Sequence, residues 1–309
     1  MANTKKIKFQ NFTWVDMENP KEHDINHLRE EFQFHPLDLQ ECLKPSHRSE
    51  IDIYDNYIFL VLLFPLYNRT SREITGGEIK FFITKDYLIT IHHGEFQTLG
   101  EFFKFFELGP SLRSKFKEES PEQLLYEILN KLFLYCFPMV DHLIIDCDVI
   151  EKAIFSGKEQ QMVSEILVIR RNITDFRKIM QVHKNALKKL ISQLKDNTVF
   201  VMKKTDVYYE NLIDYTKEIW DTLENLKERI EALQDTNESQ ISFRLSTIMK
   251  TLTIISVITF PLTLFATVFS MSFINMPLHA NPNGFWIIIG TMAVLAGTML
   301  GVFKMKKWF

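Results

Sequence analysis

Short runs of apolar residues separated by turn formers fill the first 120 residues. Runs rich in β-branched and aromatic residues predict strands at 12–16, 51–54, 57–65, 79–84 and 87–92. Apolar residues at helical spacing predict helices at 22–34 and 37–43. The Gly76-Gly77 and Lys85-Asp86 pairs predict turns that bound the strands. These elements together predict a small α/β domain over residues 1–120.

The pattern becomes helical after Pro121, and residues 158–260 contain neither glycine nor proline. Such a stretch predicts two or three long helices, with a break near 196–198 and a last helix that begins at about Asp206. This last helix carries apolar residues at heptad spacing, which is typical of a helix packed along a neighbour: Ile219, Leu223, Leu226, Ile230 and Leu233. Residues 121–246 are therefore interpreted as a helical region that ends in a stalk.

Residues 251–303 carry no Asp, Glu, Lys or Arg. Turn formers at 275–284 divide this stretch into spans at 249–273 and 285–303, each close to the roughly 20 residues that cross a bilayer core. Lys250 and Lys304 flank the spans on one side, whereas the connecting segment has no Lys or Arg. The positive-inside rule therefore predicts a two-pass hairpin over residues 247–309 with both termini in the cytoplasm.

Chemistry-bearing motifs are absent from the sequence. It has no Gly-rich phosphate loop, HExxH, nucleophile elbow or paired Cys/His cluster, so we expect neither an enzyme nor a cofactor, and no nucleic-acid partner. Cys42, Cys136 and Cys147 form no CxxC pair and are interpreted as packing residues in a reducing compartment. The His92-His93 pair at a strand end is interpreted as a surface or core feature rather than a metal site.

Hydroxyl side chains recur along one side of the first span in steps of three or four residues, at Ser256, Thr259, Thr263, Thr267 and Ser270. One interpretation is a water-filled pathway that these hydroxyls face. The other is that they donate to carbonyls of the preceding turn or allow close helix packing, as is common in membranes.

Acidic residues dominate the stalk upstream of the membrane. Residues 206–240 contain ten acids and three bases, and Asp214, Asp221, Glu228 and Asp235 share one heptad position. This stripe is either a solvated acidic face or, with several copies around an axis, a negative funnel that concentrates cations. The funnel requires oligomerisation, because one two-helix hairpin cannot enclose a polar pore.

Several short motifs carry a family resemblance that runs nearly from end to end. They are WVD at 14–16, FHPL at 34–37, YDNYIF at 54–59, LITIH at 88–92, MKTLTII at 249–255, FPLT at 260–263, MP at 276–277 and KKWF at 306–309. In these motifs the chain resembles the CorA-type divalent cation transporters. The resemblance implies an α+β membrane protein that assembles as a homopentameric funnel, with a cytoplasmic α/β domain, a long stalk helix and a two-helix transmembrane hairpin.

The resemblance also implies which residues face the pore. The implied pore-lining positions are Ser246, Met249, Leu252, Ser256, Phe260, Thr263, Thr267 and Ser270. Among these, Met249 and Leu252 would form a hydrophobic constriction suited to gating by dewetting.

The outer mouth departs from the family pattern. The signature Gly-Met-Asn is replaced by Ser270-Met271-Ser272, and residues 275–284 carry no acids. Ser272 is shorter than the family's Asn, whose amides hold a hydrated cation. We therefore expect a selectivity ring that is less specific for hydrated Mg²⁺.

The sequence predicts a CorA-like channel or transporter for Mg²⁺, Co²⁺, Ni²⁺ or Zn²⁺ in a bacterial inner membrane. The divalent cation is the transported ion and a candidate regulator, no metal ligand set is assigned, and the expected partners are further copies of the chain, the lipid bilayer and metal ions. Two alternatives stay open. One is a divergent homologue that does not carry Mg²⁺, either a weakly selective pore or a proton-coupled zinc carrier, and the other is a membrane-anchored scaffold.

Overall fold

A computed structural model describes residues 3–44, 49–94, 96–109, 120–196, 206–271 and 282–306. The chain divides into two compact units, Met1–Asp235 and Thr236–Phe309. The sequence predicts three segments defined by their roles, 1–120, 121–246 and 247–309, whereas these two units are defined by contacts. The three predicted limits stay a prediction.

The first unit contains a six-stranded sheet. Its strands are β1 (Asn3–Lys8), β2 (Thr13–Glu18), β3 (Glu50–Ile53), β4 (Tyr57–Asn68), β5 (Glu73–Thr84) and β6 (Tyr87–His92). They lie in the order β1-β2-β6-β5-β4-β3, and every neighbouring pair is antiparallel except β2 and β6. The five predicted strands are confirmed, whereas β1 was not predicted.

The two edges of the sheet are charged. β1 has the sequence NTKKIK, with three lysines, and the four-residue β3 has the sequence EIDI, with two acids. Ile7 of β1 and Ile51 of β3 are buried and fix the side that each edge strand turns towards the core.

The Gly76-Gly77 pair is not a turn. Both glycines lie inside β5, where they pair with Pro65 and Phe64 of β4. The reason is close packing, because a Cβ at Gly77 would lie 2.3 Å from Leu66 and 2.7 Å from Phe96. The chain instead reverses at residues 69–72, where Arg72 has a φ of 56°. The predicted turn at Lys85-Asp86 is confirmed.

Alternating residues of the strands pack into two hydrophobic cores, one on each face of the sheet. Tyr57, Phe59 and Val61 of β4 pack with α1 (Glu22–Glu31) and α2 (Pro36–Glu41) on one face of the sheet. Ile58, Leu60 and Leu62 pack on the other face with α3 (Gln97–Leu108) and the helices that follow. The sequence had not predicted α3, and the predicted helices at 22–34 and 37–43 are confirmed with slightly different limits.

The rest of the first unit is helical, as predicted. It comprises α4 (Pro121–Phe155), α5 (Glu159–Met180), α6 (His183–Asp196) and the start of α7 (Asp206–Ser270). The chain also breaks between α5 and α6, where no break was predicted. The predicted break at 196–198 falls where α6 ends and residues 197–205 lie outside the described chain.

Within the described ranges, three helices are long and apolar enough to cross a membrane: Pro121–Phe155, Tyr208–Ser270 and Gly284–Met305. They differ in burial, since 44 % of the apolar window in the first is buried inside the protein, against 6 % and 0 % in the other two. Leu125, Phe133 and Cys136 of α4 are all fully buried in the core of the first unit, so we interpret α4 as a core helix. The predicted span 249–273 falls largely in the last part of the second helix, and the predicted span 285–303 falls within the third.

The second unit consists of the remainder of α7 and α8 (Gly284–Met305). The predicted turn segment at 275–284 lies mostly outside the described residues, which resume at Pro282. The predicted architecture of an α/β domain, a long helix and two apolar helices is thus confirmed. The homopentamer stays a prediction.

Candidate cation pathway along helix α7

Helix α7 carries every residue predicted to line a pathway except Met271 and Ser272. It runs through 65 residues without interruption, from Asp206 to Ser270. The helix contains no glycine and only one proline, Pro261. The scarcity of these helix-breaking residues accounts for its length.

The predicted pore positions fall on one stripe of α7. At about 100° per residue, the seven positions from Met249 to Ser270 lie within roughly 40° of a common line, and Ser246 lies about 80° from it. We call this the pore stripe; its members are Ser246, Met249, Leu252, Ser256, Phe260, Thr263, Thr267 and Ser270. All are exposed in the single chain except Ser256, which is half-buried.

Two hydroxyls of the pore stripe bond to their own helix. Thr263 Oγ1 donates to the carbonyl of Thr259 at 2.9 Å, and Thr267 Oγ1 donates to the carbonyl of Leu264 at 2.9 Å. This is the back-bonding that the sequence left open as an alternative to a pathway. It does not remove the oxygen as a ligand, because the lone pairs of a hydroxyl stay available when its proton is donated.

The C-terminal end of the pore stripe is only partly described. Ser270 is the last residue of α7, and the side chain of the following Met271 is 53 % exposed. The backbone N–H of Met271 donates to the carbonyl of Val268 at 3.3 Å, which closes the last turn. Ser272, the last residue of the predicted selectivity motif, lies outside the described residues.

The four stalk acids also lie on one exposed stripe. Asp214, Asp221, Glu228 and Asp235, which we call the acidic stripe, are all exposed. Steps of seven residues space them about 10 Å apart along the helix. Among the residues that the structure describes, none of these four carboxylates takes part in an ion pair or a side-chain hydrogen bond.

The opposite side of the stalk is packed. Ile219, Leu223, Leu226, Ile230 and Leu233 are all buried, so the predicted heptad seam is confirmed. At its start the stalk is fastened to α4, because the buried Tyr209 hydroxyl donates to the carbonyl of Glu122 at 2.6 Å.

Two arginines form ion pairs at the sides of the stalk. Arg229 of α7 bonds Asp148 at 2.7 Å and Glu151 at 2.5 Å on α4. Arg177 of α5 pairs with Glu224 and lies 5.2 Å from the centre of the Trp220 ring. Sequence reasoning missed these contacts, since the charge pattern did not reveal which acids have a cationic partner. The arginines pair with acids at the packed flanks, and among the described residues neither of them pairs with the acidic stripe.

Side chains elsewhere in the described residues form no group of three or more His, Cys, Asp or Glu that could hold a metal ion. His92 is buried, and its Nε2 lies 3.3 Å from Asp16 Oδ1. Asp16 also accepts from Thr90 Oγ1 at 2.6 Å, and Thr90 accepts from Trp14 Nε1 at 3.1 Å. This His92 network joins β2 to β6 within the core. The three cysteines are buried thiols, as interpreted from the sequence.

Comparison with known proteins points to one family. Residues 9–306 match the model of the family described as "CorA-like Mg2+ transporter protein". The chain is 27 % identical to the cobalt/magnesium transport protein CorA of Thermotoga maritima over 96 % of this chain and 83 % of that protein. It is also 27 % identical to the putative metal ion transporter YfjQ of Bacillus subtilis, over 96 % of this chain and 89 % of that protein.

A solved structure shares the whole fold. The structure described as the complete CorA magnesium transporter from Methanocaldococcus jannaschii superposes with a TM-score of 0.81. It is 22 % identical in sequence and covers 99 % of this chain and 94 % of the other. At this identity the match shows the shared fold.

Proposed function

Because the chain belongs to the family of CorA-like Mg²⁺ transporter proteins, we propose that it conducts divalent cations through a pore lined by the pore stripe of several copies. The family is one of transporters rather than enzymes. The observation that carries the proposal is exposure on α7: a line of acidic side chains is exposed in the first unit, and a line of hydroxyl and apolar side chains is exposed in the second.

Exposure of the pore stripe supports assembly. A single hairpin cannot surround water, and in the single chain Met249, Leu252 and Phe260 are 56 %, 54 % and 74 % exposed. Copies arranged around an axis bring these side chains together and create a lumen. We propose a homopentamer, which is the assembly that the family resemblance implies.

Hydroxyl chemistry supports a cation as the permeating ion. The protons of Thr263 and Thr267 are donated to carbonyls of their own helix. These hydroxyls therefore present only acceptor lone pairs to a neighbouring ion or to the water of its hydration shell. A ring of such oxygens attracts cations and repels anions, and the acidic stripe raises the cation concentration at the cytoplasmic end.

Met249 and Leu252 supply a gate in this proposal. Both are apolar residues of the pore stripe, and Lys250 marks the cytoplasmic end of the uncharged span. A ring of these side chains closes the pathway by excluding water when it narrows. Divalent cations bound in the cytoplasm are the proposed regulator.

The membrane placement follows from charge. Arg244, Lys250, Lys304 and Lys306 flank the two spans, and residues 275–284 have neither Lys nor Arg. The positive-inside rule favours both termini in the cytoplasm of a bacterial cell, with the hairpin in the inner membrane.

A second candidate is the same pore without Mg²⁺ selectivity. The observation that favours it is Ser270-Met271-Ser272 in place of the family's Gly-Met-Asn. Mg²⁺ sheds its water reluctantly, so recognition of the hydrated ion requires acceptors at a defined reach. Serine reaches less far than asparagine, which favours a weakly selective pore or a carrier for Zn²⁺.

Ion flux into liposomes containing the purified protein tests both candidates. Uptake of Mg²⁺, Co²⁺, Zn²⁺ and K⁺ is compared for the natural protein, for Ser272→Asn and for Ser272→Thr, which keeps the hydroxyl. Uptake of Mg²⁺ and Co²⁺ well above that of K⁺ supports the first candidate.

Mg²⁺ uptake that is selective only in Ser272→Asn, and not in Ser272→Thr, supports the second candidate. No uptake of any ion by protein that is folded and correctly inserted rejects both and favours the membrane-anchored scaffold.

A further inference from the structure

A cavity of about 580 Å³ lies in the first unit, where the β4–β5 hairpin meets α4 and α5. The hairpin contributes Tyr67, Arg69 and Ile74, and α4 contributes Tyr135, His142 and Asp146. Its volume is within the range of pockets that bind small organic molecules.

The hairpin side of the cavity is held in place by α5. The buried Asn172 donates from Nδ2 to the carbonyl of Arg72 at 2.9 Å and accepts from the backbone N–H of Ile74 at 3.1 Å. The guanidinium of Arg72 bonds both carboxylate oxygens of Glu165, at 3.0 and 2.7 Å. The Arg72 side chain is therefore already paired within the fold. The hairpin side of the cavity is held in place before any ligand binds.

Arg69 differs from Arg72 in its contacts. It is exposed at the tip of the hairpin and lines the cavity. Unlike Arg72, it has no ion pair or side-chain hydrogen bond among the described residues. His142, which is exposed on α4, lines the same cavity. An unpaired guanidinium and an imidazole in one cavity favour an anionic ligand, above all a phosphate.

One carboxyl group faces the same space. Asp146 lies one turn beyond His142 on α4 and is half-buried. Burial raises the pKa of Asp146, and the nearby Arg72 and His142 partly offset this rise. A carboxylate beside cationic groups accepts hydrogen bonds, which suits the N–H or O–H groups of a ligand whose other end is anionic.

Two tyrosine rings and an apolar floor complete the lining. Tyr67 and Tyr135 are 46 % and 47 % exposed, while Ile74, Met139 and Ile169 are buried. Half-exposed aromatic rings over an apolar floor favour a planar, ring-containing group, because stacking and burial of its faces then add to the polar contacts.

We propose that this cavity binds a nucleoside monophosphate or a closely similar ring-bearing phosphate. The phosphate bonds Arg69 and His142, the base packs against the tyrosines and the apolar floor, and Asp146 accepts from an N–H of the base or a hydroxyl of the sugar. This site is independent of the proposed ion pathway, since none of its residues belongs to the pore stripe or the acidic stripe.

Binding of AMP to the full-length purified protein in Mg²⁺-free buffer tests the proposal. Titration calorimetry is run with AMP, adenosine and inorganic phosphate. The expected result is saturable binding of AMP at one site per chain, tighter than binding of adenosine or phosphate. The proposal is overturned if AMP does not bind at millimolar concentration, or if adenosine or phosphate alone binds as tightly as AMP.

Substitutions locate the site. Arg69→Gln is expected to raise the dissociation constant of AMP about tenfold, the usual size of a lost charge-assisted hydrogen bond. Asp146→Asn is expected to weaken AMP binding and to leave phosphate binding unchanged. The matched control is Arg29→Gln, at another exposed arginine, on α1; this variant should bind AMP normally.

Thermal unfolding of each variant checks that the fold is intact. Arg69→Gln should unfold at the natural midpoint, because Arg69 makes no ion pair or side-chain hydrogen bond in the part of the chain that the structure describes. Unchanged AMP affinity in both Arg69→Gln and Asp146→Asn overturns the placement of the site. Ion flux is not used as a readout here, so failure of this proposal leaves the transport proposal untouched.

Discussion

The Tyr57 hydroxyl donates to Asp38 Oδ2 at 2.8 Å, although both residues are buried. The same hydroxyl accepts from the backbone N–H of His35 at 2.8 Å, so one phenol on β4 holds the start and the middle of α2. Burial raises the pKa of Asp38, while the hydrogen bonds from Tyr57 and Tyr54 oppose this rise.

Removing this phenol is expected to destabilise the first unit. Tyr57→Phe removes the partner of Asp38 Oδ2 and of the His35 backbone N–H, while Tyr54 still donates to Asp38 Oδ1. The loss costs about 1–3 kcal/mol of unfolding free energy. The measurement is the midpoint of thermal or denaturant unfolding. Tyr87→Phe is the matched control, because its hydroxyl has no hydrogen bond among the described residues. Equal midpoints for the two variants would show that the Tyr57 contact does not stabilise the fold.

A pair of glycine substitutions tests the packing inside β5. Gly77→Ala places a methyl group 2.3 Å from Leu66 and 2.7 Å from Phe96, so we expect a loss of about 1–3 kcal/mol in stability. Gly100 lies in helix α3 with open space around its would-be Cβ, and Gly100→Ala is expected to stabilise the protein by about 0.5–1 kcal/mol. Unfolding midpoints that move in the same direction for both variants would contradict this account.

His183 is expected to make stability depend on pH. Its ring is fully buried against Phe64 and Phe133, and burial lowers its pKa to about 4. An unfolded histidine titrates near 6.5, so between about pH 6.5 and pH 4 the unfolded chain binds more protons than the folded one. Stability therefore falls as the pH falls through this window, by an amount on the order of 3 kcal/mol.

The measurement is the unfolding midpoint from pH 7 to pH 4 for the natural protein and for His183→Phe, which keeps an aromatic ring. The variant should lose less stability over this window. His27→Gln serves as the control for loss of an exposed histidine, because the His27 side chain is 65 % exposed. Parallel pH curves for all three proteins would refute the assignment to His183.

The acidic stripe is expected to concentrate cations. Replacing Asp214, Asp221, Glu228 and Asp235 with Asn should lower cation conductance in liposomes or planar bilayers at low ionic strength. The effect should shrink near 1 M salt, where the screening length falls to about 3 Å. A control variant carries Asn or Gln at four exposed acids outside the stalk: Glu30, Asp55, Asp86 and Asp141. Equal conductance of the two variants at low salt would count against the funnel.

Hydrophobic periodicity was enough to find most of the fold, and the errors have physical causes. Gly76 and Gly77 have the composition of a turn, but tertiary packing against Leu66 and Phe96 places them in a strand. The break between α5 and α6 carries no glycine or proline. It lies beside His183, whose Nδ1 is 3.0 Å from the carbonyl of Ile179 near the end of α5.

Helical periodicity also predicted the acidic stripe and the line of hydroxyls on α7, because it depends on local spacing alone, whereas the other members of the pore stripe were implied by the family resemblance. It did not predict the preformed cavity beside Asn172. That cavity depends on contacts between residues about 100 positions apart, such as the bond from Asn172 to Arg72, and periodicity carries no information about them. The assembly that would bring pore stripes together involves separate chains and is likewise outside what a single sequence pattern specifies.

The charged edges of the sheet affect how readily newly made chains aggregate. Unpaired strand edges recruit further strands, and a newly made chain is exposed to other unfinished copies. Three lysines on β1, and a β3 of only four residues with two acids, oppose such strand addition at either edge. We expect these charges to protect the newly made chain from aggregation, a role separate from any ion that it carries.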